Sequence, residues 1–189
     1  MRNLIAGLLL ACLMTAGCTT LSATSSPLVG SPPVCSGDNA IGRTIVLPLT
    51  HWRADQKDVP LREAYAVEAI RAQASALTCA SSVEVASIGP DTGAPERIEA
   101  ARTSGFDSAI AITVRELGPQ IELSFPVLVR GASDVDFNVR VVSLADNSTL
   151  LHFDQRRRVT SDFQLRRAGL VERQFELALQ GAFGGPTSQ

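Results

Sequence analysis

Part-way along the chain the spacing of apolar residues changes period, and that change admits few architectures. In the first part, short β-branched runs alternate with helical stretches. Residues 43–49 (Arg-Thr-Ile-Val-Leu-Pro-Leu) have the composition of a buried strand. Asp58 and Pro60 open a helix with an acid and a proline at its start. Val67, Ile70, Ala74 and Leu77 recur on one face of that helix. Residues 83–88 form a second strand. Pro95 begins a second helix that runs through Ile98 and Ala101 and is stopped by Gly105. A third strand spans 108–117, with Ala109, Ala111 and Thr113 alternating against Ile110, Ile112 and Val114. From there on, residues 120–129 and 135–144 alternate with period two, as half-buried antiparallel strands do. Asp146-Asn-Ser148 signals a turn, and 150–160 returns as the partner strand. The sequon Asn147-Ser-Thr149 is read only as part of that turn. Ala168, Val171, Phe175, Ala178 and Phe183 share one face of a C-terminal helix. The order β-α-β-α-β, then antiparallel strands, then a helix, predicts an α/β fold. Its mixed sheet is covered by the helices in a single sandwich domain.

The 189 residues suffice for one domain, and 45% hydrophobic against 19% charged residues is an ordinary globular composition. A net charge of −2 and a pI near 5.7 exclude a nucleic-acid binder working by bulk charge. Residues 18–37 are rich in Ser, Thr and Pro and are expected to be a flexible tether. The folded domain is expected over 38–183, with 184–189 a frayed tail.

The first residues read as a targeting signal. Arg2 is a short positive region, and residues 4–14 are an apolar run of about eleven residues, whereas a spanning helix needs ~20. Residues 1–17 are therefore expected to be a signal peptide. Thr15-Ala-Gly-Cys18 follows, which resembles the lipobox of bacterial lipoproteins. Ala16 and Gly17 fit that pattern, and Thr15 departs from the usual Leu. The resemblance implies cleavage before Cys18 and its diacylation, with palmitate-type chains that hold the protein at a membrane through a lipid anchor. Thr19 in place of an Asp implies sorting to the periplasmic face of the outer membrane. Losing Arg2 with the leader leaves 16 basic against 19 acidic side chains, or −3.

Three segments carry a wider likeness. They are Ile45-Val-Leu-Pro-Leu49, Ala100-Ala-Arg-Thr-Ser-Gly-Phe-Asp-Ser-Ala-Ile-Ala-Ile112 and Val139-Arg-Val-Val-Ser-Leu-Ala-Asp-Asn-Ser-Thr-Leu-Leu151. A strand ending in Pro, a Gly-aromatic-Asp corner and a valine-rich hairpin with an Asp turn resemble one superfamily of envelope lipoproteins. It includes the periplasmic domain of the curli-secretion channel, the activators of penicillin-binding proteins, and the amino-terminal domain of the Tol-system translocation protein. Pore formation is not expected, because Pro126, Asp134, Asp136 and Arg140 interrupt the strands that a lipid-facing wall would need.

No catalytic motif is legible. Gly-x-Ser-x-Gly, Gly-x-Gly-x-x-Gly, a Walker loop and His-Glu-x-x-His are all missing. No cofactor and no metal is expected. His51, beside Trp52, follows the first strand, where loops of α/β folds face ligands, and pairs in principle with Asp55. His152 lies in a strand among charged neighbours. Cys35 and Cys79 are the thiols of the mature chain besides Cys18. If the first two strands are parallel, both lie at one end of the sheet, and an oxidising envelope permits a disulfide between them. Arg156, Arg157, Arg158, Arg166 and Arg167 are the one basic concentration. Either they are a solvated strand end and helix start, or they dock anionic phospholipid, lipopolysaccharide or an acidic partner. In a strand, Arg156 and Arg158 share a face and Arg157 takes the other.

The sequence thus predicts a non-enzymatic, lipid-anchored accessory or assembly protein of an envelope machine with a protein partner. The alternative is an envelope module binding peptidoglycan, a lipid headgroup or lipopolysaccharide.

Overall fold

The computed structural model describes residues 21–25, 33–35, 40–124, 128–162 and 168–184. Among them the order is β1 (Leu21–Ser25), β2 (Gly42–Thr50), α1 (Val59–Ala74), β3 (Ala80–Val85), β4 (Gly89–Pro90), α2 (Ala94–Thr103), β5 (Ser108–Ser124), β6 (Leu128–Ser143), β7 (Thr149–Asp162) and α3 (Ala168–Phe183). They form one mixed sheet in the order β1-β7-β6-β5-β2-β3, with β4 also beside β2. β2 pairs parallel with β3 and β5, and all pairings from β5 to β1 are antiparallel.

The layers follow from the handedness of crossovers. The chain steps from β2 to β3 in one direction and from β3 back over β2 to β5 in the other. Two right-handed crossovers in opposite directions put their helices on opposite faces. α1 and α3 accordingly cover one face, α2 the other. Under α1 and α3 lie Val46, Ile110, Ile112, Val114, Val135, Phe137 and Val139, with Phe175 of α3 packed onto them. Phe137 and Phe175 meet edge to face with centroids 5.5 Å apart. Ile98 of α2 packs with Ile45, Leu47, Phe106 and Ala109 into a smaller core.

The buried stripe of α1 is Ala66, Ala69, Ile70 and Ala74, with Val67 half-buried. Gly105, just past the end of α2, turns the chain at φ +78°, which a side-chain-bearing residue seldom adopts. The next two residues close the corner that the sequence singled out. The Arg43 guanidinium stacks on Phe106, and the Asp107 carboxylate accepts the Arg43 backbone N–H at 2.7 Å. At the β6–β7 turn, Asn147 takes φ +62° and Asp146 Oδ1 accepts from the backbone N and the hydroxyl of Ser148. Hydrogen bonds from Ser143 and Ser148 push the Asp146 carboxyl down to about 2.

Two expectations differ from the structure. Residues 120–129 are not a separate strand. β5 runs on through Gly118 and Pro119 to Ser124, and β6 begins at Leu128. β2 accompanies β5 only as far as Val114. Beyond that point the described residues give β5 a partner on one side only, so a proline lacking N–H is tolerated. Within the expected tether, Leu21–Ser25 forms β1 and pairs antiparallel with β7, Leu21 opposite Ser161. No helix of the described residues is long and apolar enough to cross a membrane.

Candidate functional site

Beyond α2 the second face of the sheet carries charge instead of a core. The β6–β7 register sets Asp134 opposite Arg158, Asp136 opposite Arg156, Asn138 opposite Asp154 and Arg140 opposite His152. Successive residues of a strand alternate faces, so these eight lie together, while Val135, Phe137, Val139 and Val141 point into the core. Asp134 is completely buried. Arg156 donates to its two oxygens at 3.3 and 2.8 Å, and Arg158 stands 3.6 Å away. A carboxylate buried that deeply is tolerated only when paired. The same hydrogen bond and charge push the Arg156 guanidinium pKa up. Arg115 binds Asp136 at 3.1 Å and also Asp154. The Arg115 hydrogen bond holds the Asp154 carboxyl below its ordinary range. Asn138 Nδ2 donates to His152 Nε2 at 2.8 Å and to the Phe153 carbonyl at 3.0 Å.

A second cluster lies where the crossovers diverge, at the carboxyl end of β2 and beside the stretch of β5 that runs on past it. Open α/β sheets place ligand sites at such a point. Here charged and polar side chains pair with one another. Glu116 is buried and accepts from Gln56 at 3.3 Å. It stands 3.1 Å from Arg53 and 3.9 Å from Arg62. Arg62 lies so close to Gly118 that a Cβ there would overlap its guanidinium. Trp52 Nε1 donates to Glu63 at 3.0 Å. His51 Nδ1 meets Asp91 at 2.8 Å, whereas Asp55 faces Arg53 at 3.9 Å. The pair His51 and Asp55 is therefore not brought together, because α2's leading turn delivers Asp91 to the histidine first. Among the described residues no three His, Cys, Asp or Glu side chains converge as metal ligands would.

The remaining expected site residues fall in different places. Cys35 and Cys79 form a disulfide. It ties the segment before β2 to the start of β3, where Ile41 N also donates to the Cys79 carbonyl at 2.9 Å. Val34 N donates to the Ala182 carbonyl at the end of α3. The arginine run is split by strand alternation, since Arg157 pairs with Val135 on the core side and its Nε is buried with no partner among the described residues. Arg156 and Arg158 are committed to Asp134. Cys18, Arg166 and Arg167 lie outside the described residues.

No family model matches the chain, and no curated protein matches it. Among solved structures it is similar to the PelC dodecamer from Paraburkholderia phytofirmans, with 13% identity, 88% of this chain and 98% of that chain covered, and a TM-score of 0.42. Lipoprotein GNA1162 from Neisseria meningitidis gives 13%, 70%, 91% and 0.37. Protein XCC0632 from Xanthomonas campestris gives 14%, 87%, 87% and 0.40. Likenesses at this level assign no role to this chain.

Sequence reasoning missed Asp134, Glu116 and Asp91. Asp134 had a partial signal: an acid one residue before the stripe of Val135, Phe137 and Val139, and so on the opposite face of the strand. The His51–Asp91 pairing had none, because it needs the parallel placement of β4 beside β2.

Proposed function

We propose that this chain is a non-enzymatic lipoprotein of the bacterial envelope. It is fastened through Cys18 to the periplasmic face of the outer membrane and serves an envelope machine as an accessory or assembly protein. The observation that carries the reading is Thr15-Ala-Gly-Cys18 at the end of an apolar run too short to span a bilayer. Two or more acyl chains on that cysteine suffice for stable anchoring. The Cys35–Cys79 disulfide supports it, because such bonds persist in oxidising compartments. The commitment of Arg156 and Arg158 to Asp134 favours a partner contact away from the arginine run. β3, at the end of the sheet, offers a strand edge to which a partner's strand adds.

Metabolic palmitate labelling tests the anchor: wild type takes up label and Cys18→Ser does not. Equal labelling of both removes the reading. Mild crosslinking in membranes then tests the partner, and recovery of the monomer alone under several conditions contradicts it.

A further inference from the structure

On the open face of the sheet one cation stands apart from the paired charges. Arg140 is half-buried, and among the described residues its side chain makes no hydrogen bond and no ion pair. Its neighbours on that face are all engaged: Arg115 with Asp136 and Asp154, Arg156 and Arg158 with Asp134. Arg140 lines a polar cleft of about 350 Å³. The floor beside it is Ala111 and Thr113 of β5, small residues that leave the space open, and the wall is β7 with Thr149 and His152.

His152 faces the cleft in a defined tautomer. An amide nitrogen only donates, so Asn138 Nδ2 makes His152 Nε2 the acceptor, and the ring proton sits on Nδ1. Among the described residues that Nδ1–H has no partner, and His152 stands opposite Arg140 in the β6–β7 register on the cleft that both line. The one carboxylate of the cleft, Asp91, is taken by His51 at 2.8 Å. A half-buried guanidinium without an acid has lost part of its hydration with no compensating partner, and an oxyanion restores it with charge-assisted hydrogen bonds.

We infer that this cleft binds a small oxyanion, a phosphate or phosphodiester group held by Arg140 and His152. The inference is independent of the lipid anchor, since it uses neither Cys18 nor the arginine run.

The chain has two histidines, so its NMR spectrum shows two imidazole Cε1–H signals. The full chain, purified from whichever cell fraction holds it, with detergent where that fraction is membrane, is titrated with inorganic phosphate and with glycerophosphoglycerol, against sodium chloride at matched ionic strength. The signal absent from His152→Asn is that of His152. It shifts saturably in wild type, and the affinity falls roughly tenfold or more in Arg140→Gln. Arg71→Gln, an exposed arginine on α1, leaves the titration unchanged. Saturation by the diester points to a lipid headgroup as the source, and saturation by inorganic phosphate alone points to a free phosphate. A shift that follows ionic strength only, or equal titrations in wild type and Arg140→Gln, overturns the site. Arg140→Lys, which keeps the charge and loses the fork, guards against misfolding of the first variant and binds with intermediate affinity.

Discussion

Replacing both Cys35 and Cys79 by Ser removes a crosslink between residues 44 apart in sequence. The folded state keeps its neighbouring contacts: Ile41 N still donates to the Cys79 position's carbonyl, and Val34 N to that of Ala182. The effect therefore acts on the unfolded chain, which regains the freedom of the opened loop. For a loop of that length the chain-entropy relation gives about 4 kcal/mol at 25 °C. In a domain of this size the midpoint of thermal unfolding then falls by on the order of 10–15 °C. Urea unfolding followed by the fluorescence of Trp52, the single tryptophan, measures the change directly. Dithiothreitol lowers the wild-type midpoint to that of the double variant and leaves the variant where it was. A loss below about 1 kcal/mol, or a variant that still responds to reductant, refutes the loop-entropy reasoning.

Arg156→Ala leaves the buried Asp134 carboxylate with Arg158 alone at 3.6 Å, and costs roughly 2 kcal/mol in urea unfolding. In the cycle with Asp134→Ala the double variant loses less than the sum of the singles, and strict additivity contradicts the pairing. Phe175→Ala empties the space between α3 and Phe137 and costs about 3–5 kcal/mol, read in the same assay; a loss under 1 kcal/mol means that α3 does not pack there. Asp154, whose carboxyl is held low by the Arg115 hydrogen bond, is more acidic folded than unfolded. It stabilises the fold above the unfolded carboxylate pKa of about 3.9, and that contribution is lost as pH falls through the lower folded value. Urea midpoints between about pH 5 and pH 3 fall more steeply for wild type than for Asp154→Asn, and parallel curves contradict it.

The layout of strands and helices was legible because burial imposes period on sequence. Residues 43–49 read as a buried strand because both faces of β2 are covered, one by α1 and one by α2. The corner at 105–107 and the turn at 146–148 were legible because positive φ selects Gly and Asn. The length of β5 was hidden, since Gly118 and Pro119 punctuate a strand in sequence and are tolerated where, among the described residues, its outer edge has no ladder. The pairing of Arg156 with Asp134 was hidden for another reason. Both residues were visible, and the alternation of the arginines over two faces was read correctly, but register across a hairpin comes from the whole ladder. The unpaired state of Arg140 is of the same kind: it is defined by which acids the register gives to other arginines.

The central claim is the covalent attachment of fatty chains at Cys18. Mass spectrometry of the N-terminal peptide of membrane-extracted protein tests it most directly. The account predicts a chain that begins at Cys18 and carries diacylglycerol on its sulfur. A peptide that retains residues 1–17, or a mature terminus without acyl chains on protein recovered free in the culture medium, contradicts it.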